Sequence, residues 1–401
     1  MKNFLFLLAL LTPLFLSAQM NIQWRGTDRT GVYHEEGLLE KWPENGPELK
    51  WHYEDLGEGH SSVAIDSDRI YLTGLKGDQG YIYVFDLDGN LVKKKEYGPE
   101  WSESYVGPRG TVTINDSKIY LITGYGVLYC LDHQSLDLIW KRDFLKEYNA
   151  ENTKWGINEA PLVVGDMVIA TPGGKKGNLV AYDKNTGKTI WTSAGEGDRS
   201  AYCSPLYISD QEVPQIVTHT ADHIIGVEAN TGKKLWSYPQ PNRYSVHANT
   251  PVYHNNMILC TSGYGKGSVM LRLTDGGRNV EKVWESDELD NRIGGMVKIG
   301  DYVYGSGDSN RYWFCADWKT GEIKYKKGGF GMGNIIANGD MLYCYTDRGN
   351  MLLARATPEE FDVISKFRIS YGSAQHWAHT VLYKGLMLVR HGESLVVYEV
   401  K

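Results

Sequence analysis

Most of this chain is written in short runs of alternating apolar and polar residues separated by turn-forming clusters, the period-two pattern of half-buried strands. The plainest examples are Leu179-Val-Ala-Tyr-Asp183-Lys-Asn-Thr-Gly187-Lys-Thr-Ile-Trp191 and Ile225-Gly-Val-Glu228-Ala-Asn-Thr-Gly232-Lys-Lys-Leu-Trp236. In each, an alternating strand ends on an acid, turns at Asn-Thr-Gly-Lys and returns to a Trp. The glycine supplies the positive φ of the turn, and the aromatic is placed to pack between neighbouring sheets. Asp317-Trp-Lys-Thr-Gly321-Glu-Ile-Lys-Tyr325 repeats the pattern with Tyr at its end.

Upstream of each copy stands a second signature, a short apolar strand, a polar turn and another strand. It is clear at 161–169, 251–259, 297–304 and 336–343, and weaker at 63–71, 112–120, 205–217 and 381–388, which makes eight first hairpins. Closing aromatics fall at Tyr97, Trp140, Trp191, Trp236, Trp284, Tyr325 and Phe367, at a spacing typical of propeller blades. The eighth unit lacks its closing strand, and Leu49-Lys-Trp51-His-Tyr53 is an orphan strand of the right kind. Pairing the two ends removes the open edges, so the sequence predicts an all-β fold: an eight-bladed β-propeller of four-stranded antiparallel blades over 49–401 with an N-terminal arm at 19–48. Ahead of the arm, Lys2, the apolar run from Phe4 to Leu16 and Ser17-Ala18 predict a signal peptide over 1–18, cut after Ala18. The run is too short to span a bilayer, and the mature chain is expected to be soluble in the periplasm or secreted.

Composition narrows the picture further. With 401 residues, 42% hydrophobic and 23% charged, the chain can bury a large core. A net charge of −7 with no basic tract gives no electrostatic case for nucleic acid. Five cysteines, none adjacent in sequence, spell no disulfide framework.

The Asp-x-x-Thr-Gly-x-x-x-Trp repeats resemble the PQQ-like, quinoprotein-type β-propeller superfamily, and Gln23-Trp24-Arg25-Gly26-Thr-Asp28-Arg29-Thr-Gly31-Val32 is similar to the segment that opens many secreted members. The resemblance implies three classes. Quinoprotein dehydrogenases of alcohols or sugars carry a vicinal disulfide against the quinone and acidic and amide ligands for calcium; Cys130, Cys203, Cys260, Cys315 and Cys344 contain no vicinal pair. Non-catalytic assembly scaffolds of the BamB type carry a lipidated cysteine, for which this sequence has no candidate near the cut. Secreted carbohydrate-active propellers include lyases and dehydratases for uronic-acid-containing oligosaccharides.

The residues just before each first strand are expected to line one end of the central channel. They include His60, Arg109, Glu159, Tyr202, His247, Asn249, Arg292, His376, Trp377 and His379, and loops on the same face add Arg311 and Arg348 among other cations, with Asp308 as an acid. A locally basic face on an acidic chain suits an anionic ligand, and Trp155, Tyr244 and Trp377 offer flat faces for sugar rings. This mixture fits proton abstraction beside a carboxylate followed by loss of a substituent. Arg109 and Arg292 would neutralise the uronate; His60, Tyr202, His247, His376 and His379 are the candidate acids and bases; Trp155, Glu159, Asn249, Arg311, Arg348 and Trp377 would bind substrate. The expected function is therefore an oligosaccharide dehydratase or lyase, monomeric, acting on an anionic oligosaccharide with no metal and no cofactor; PQQ and calcium enter only under the dehydrogenase reading.

Overall fold

The computed structural model describes residues 22–401; the expected signal peptide lies outside them. Eight antiparallel sheets follow one another along the chain and form an eight-bladed propeller. The first blade, Ala64–Asp66, Arg69–Lys76, Gln79–Asp86 and Leu91–Pro99, shows the common plan, a short first strand followed by three longer ones. First strands of neighbouring blades touch one another around the axis. The eighth blade combines Val381–Tyr383, Leu386–His391 and Ser394–Glu399 with Glu48–Tyr53 from the other end of the chain, in antiparallel register.

The repeat residues hold blade to blade. Asp183 accepts the backbone N–H groups of Asn185 and Thr186 and the Thr186 hydroxyl, and Asp317 does the same for Lys319 and Thr320. Each turn so fixed presents its glycine to the closing Trp of the preceding blade. A Cβ on Gly187 would lie 2.7 Å from the Trp140 ring, on Gly232 2.4 Å from Trp191, and on Gly321 2.7 Å from Trp284. The indole N–H groups of Trp140, Trp191 and Trp284 donate to backbone carbonyls of the next blade, those of Lys184, Ala229 and Trp318. Where the eighth blade has a chain break instead of a turn, Gly46 of the arm stands against Phe367 in the same way, at 2.6 Å.

Gly232, at φ +71°, is thus bound both by its conformation and by the ring above it. Gly232→Ala is expected to cost about 2–4 kcal/mol from the left-handed backbone and the displaced indole together. Urea unfolding should show a lower midpoint at unchanged slope.

One blade departs from the four-strand plan. Val32–Tyr33 of the arm pairs in parallel with Gly333–Asn338, giving the seventh blade a fifth, innermost strand. Just before this, the arm crosses the channel. Arg25 and Arg29 are 3% and 4% exposed. Arg25 donates to the carbonyls of Gly294, Met296, Ile335 and Thr30, and Arg29 to those of Ala160, Pro161 and Pro205. Apart from Thr30 of the arm and Ile335 of the covered seventh blade, these carbonyls lie outside the named strands, so the two guanidinium forks supply donors that no sheet neighbour provides. Burial lowers both pKa values to about 10, so both arginines stay charged at neutral pH.

Candidate functional site

On one face of the ring the channel opens as a funnel above the arm. Its floor, about 80 Å³, is lined by Trp24 from the arm and by His60, Arg109, Asn158, Trp377 and His379, among others. Its mouth, about 120 Å³, is walled by Tyr105, Trp155, Tyr202, Tyr264 and Trp377, with Arg109 and Arg292 between them. The rings support one another: Trp377 lies 5.0 Å from His60 and 5.1 Å from Tyr105, and Trp155 lies 6.3 Å from Tyr202. Tyr202 also fixes its neighbour through a hydrogen bond from the Trp155 N–H at 3.1 Å, and Asn334 donates to the Trp377 carbonyl.

Tyr105, Tyr202 and Tyr264 all have left-handed backbones, with φ of 52°, 71° and 65°. Bulky side chains rarely accept that conformation, which costs roughly 1–3 kcal/mol each, and such strain collects where a ring must be aimed at a ligand. The three aromatic residues with this backbone among the described residues all stand around this one opening.

Its two cations differ. Arg109 is half-buried, donates to the Trp155 carbonyl and rests 5.9 Å from the Trp101 ring; desolvation brings its pKa to about 10, still a cation at neutral pH. Arg292 is half-buried, 3.2 Å from the Asp308 carboxylate and 5.4 Å from the Tyr264 ring centre.

The structure separates the other expected site residues. His247 is fully buried, stacked at 4.9 Å on His219 and bonded to the Ala221 carbonyl, behind the wall. His376 stacks at 3.8 Å on His391 and bonds the Tyr345 hydroxyl at 2.6 Å. Asn249 is buried, donating to Asn291 O and accepting from Gly295 N–H. Glu159 is buried, accepting the Thr171 N–H at 2.7 Å. Arg311 pairs with Asp347, and Arg348 is exposed, reaching the Gly329 carbonyl at 3.4 Å. Trp24, Tyr105 and Tyr264 were missed. The arm carries Trp24 and non-repeating loops carry the tyrosines, so blade phase does not locate them.

Burial also sets the charge state of the histidines. Burial, with Arg390 and Arg109 nearby, lowers the His60 pKa to about 3; burial takes His247 and His376 to about 4, and burial with Arg25 takes His379 well down. All four are neutral at pH 7 and cannot serve there as general acids. The Tyr202 phenol, raised by burial, stays protonated.

The model of the family described as outer membrane protein assembly factor BamB, a PQQ-type propeller family, matches residues 78–327, more than half of the chain. The chain belongs to this family. The solved BamB of Moraxella catarrhalis superposes with a TM-score of 0.63 at 15% identity, over 86% of this chain and 99% of that one. Among curated proteins, the chain is similar to quinoprotein alcohol dehydrogenase PedH of Pseudomonas putida, 22% identical over 68% of this chain and 41% of that protein. It is also similar to 1-butanol dehydrogenase (quinone) of Thauera butanivorans, 23% identical over 47% of this chain. This PQQ-type, BamB-family chain thus spans 41% and 32% of the length of these two relatives.

These relatives overturn the expected carbon–oxygen lyase acting on uronic-acid residues, because they are oxidoreductases. They equally overturn the expectation that no cofactor is involved, since both are named for quinone chemistry. The funnel's donor set fits the organic half of such a cofactor: a flat polycarboxylate quinone needs ring faces and cations, and both are present. It does not fit the metal half. Among the described residues no group of three or more His, Cys, Asp or Glu is placed to hold an ion, and all five cysteines are buried and unpaired. No helix among the described residues is long and apolar enough to cross a membrane.

Proposed function

We propose that this protein is a quinone-dependent dehydrogenase of alcohols or sugars whose funnel holds a pyrroloquinoline-quinone-type cofactor. The observation that carries the reading is the mouth itself, five aromatic walls around Arg109 and Arg292. When bound, such a quinone accepts the two electrons and the hydrogen released on oxidising a carbinol. The chain's own residues would do the rest. Trp155 and Trp377 cover the ring faces, Arg109 and Arg292 neutralise carboxylates, and the arm beneath closes the floor to water. The apolar N-terminal run supports a periplasmic or secreted location, and the acidic chain supports a small-molecule rather than a nucleic-acid ligand.

Titrating the intact protein with the quinone and following tryptophan emission tests this, with dye reduction by primary alcohols and aldoses, in the presence of calcium, as the activity readout. Saturable quenching is expected, weakened at least about tenfold in Arg109→Ala, roughly the loss of one charge-assisted contact. Quenching no stronger than that of free tryptophan, together with no dye reduction, overturns the reading.

A second reading rests on the family match and on a separate surface. The outermost strands of three consecutive blades expose Leu91, Leu138, Ile139 and Ile190, at 41% to 52% of their area. Capture of an outer-membrane assembly partner, undiminished by Arg109→Ala but lost on Leu138→Asp, would favour a scaffold of the BamB kind.

A further inference from the structure

A second cavity of about 250 Å³ lies directly behind the funnel wall, sharing Trp155 and Tyr202 with it. Its rim carries Lys154, Arg199 and Arg243. Among the described residues none of the three is ion-paired with a carboxylate. The acid adjoining Arg199 in sequence, Asp198, is committed instead to His223 at 2.8 Å and to the Thr220 hydroxyl at 2.7 Å. Two of the cations are held by rings: Lys154 Nζ sits 4.9 Å from the Trp155 ring centre and the Arg243 guanidinium 4.6 Å from that of Tyr244. A ring face orients a cation without neutralising it. The remaining lining is rich in hydroxyls, Thr153, Ser200 and Ser245. Three exposed cations with no carboxylate partner around a hydroxyl-lined hollow leave a positive potential that suits an incoming anion.

We propose that this side cavity is a binding site for a doubly charged oxyanion, phosphate or sulfate, either free or as the end group of a ligand whose ring system lies in the funnel. The shared wall favours the second source. Trp155 touches both spaces, and its row continues through Tyr244 at 6.2 Å to Tyr264, which is 4.7 Å from Tyr244. A flat group in the funnel and an anionic group in the side cavity would then be separated by one indole. The anion site itself stands apart from the quinone reading, because its three cations do not line the funnel, whereas a ring-bearing ligand would compete with the quinone there.

The test uses the full chain, titrated calorimetrically and by thermal midpoint with inorganic phosphate and with sulfate at constant ionic strength, against chloride. One saturable site and a raised midpoint are expected. Arg199→Ala combined with Arg243→Ala, both exposed positions, should weaken binding at least tenfold. Flavin mononucleotide, whose ribityl chain separates a flat ring from its phosphate, distinguishes the sources: binding at least tenfold tighter than both phosphate and riboflavin assigns a ring-bearing ligand, and binding equal to phosphate assigns the free ion. No saturable binding of either ion to the parent, or equal binding by parent and double variant, overturns the site. Loss of quinone quenching with phosphate binding intact would instead strike only the dehydrogenase proposal.

Discussion

Glu159→Gln should be more stable than the parent protein at pH 8, by about 3 kcal/mol, and indistinguishable from it near pH 4. Burial raises the Glu159 pKa to about 7, against the lowering effect of the Thr171 hydrogen bonds and of Arg29. One carboxyl oxygen has no partner in its buried setting. A group raised in the folded state favours folding fully below its unfolded pKa of 4.5 and loses that contribution as pH rises through 7. The amide, neutral throughout, escapes the loss. Both proteins share the opposite trend of the buried imidazoles, His60 and His247, whose stabilisation is complete above 6.5 and erodes as pH falls towards 4 and 3. That trend cancels in the difference between variants. Urea unfolding of the pair at pH 4, 6 and 8 checks the prediction; a constant gap would show that Glu159 does not titrate in this range.

Arg25→Ala should be the most damaging single change in the arm, at about 4 kcal/mol. It removes the guanidinium donor from four carbonyls, the closest being Met296 O at 2.7 Å; Gly294 O keeps another donor, the Ile335 N–H at 3.3 Å. Water entering the vacated slot would recover part of the loss, which keeps the cost below the full sum of unsatisfied groups. The slot is cut to the guanidinium: Cβ atoms on Gly31 or Gly295 would fall 2.5 Å and 2.3 Å from its nitrogens. Arg25→Lys should therefore rescue little, because an ammonium cannot fork between carbonyls of two blades. Denaturation midpoints together with protease sensitivity of residues 22–33 measure both effects. Rescue by Lys would show that charge, not the fork, matters.

The blades were legible because their signals are local. An acid, a turn glycine and a Trp at fixed spacing each perform a role within one hairpin or against the next one, and Trp191 over Gly232 repeats Trp140 over Gly187. Ring closure was legible from an orphan strand. The funnel was legible only in half. Arg109, Arg292, Trp155, Tyr202, His60, Trp377 and His379 precede first strands or stand in lead-in loops, so blade phase carries them to the axis. It does not reveal depth. Asn249 and His247 occupy the same phase as Arg292 yet face inward between blades, and histidine counting along the sequence cannot tell an exposed imidazole from one that burial keeps neutral. Trp24 was out of reach for another reason, since its position depends on where Arg25 and Arg29 anchor the arm, a contact with blades encoded hundreds of residues later.

The union of Glu48–Tyr53 with Ser394–Glu399 also sets an order of events. Lys50 and Glu399, 3.0 Å apart in the finished ring, are separated by 349 positions along the polymer. No intermediate length of chain can complete the circle, and bringing such remote strands together is slow on entropic grounds. A growing polypeptide must therefore carry two unpaired sheet edges until the residues of Ser394–Glu399 are available. Removing those residues would leave a gapped ring inclined to stick to other copies of itself.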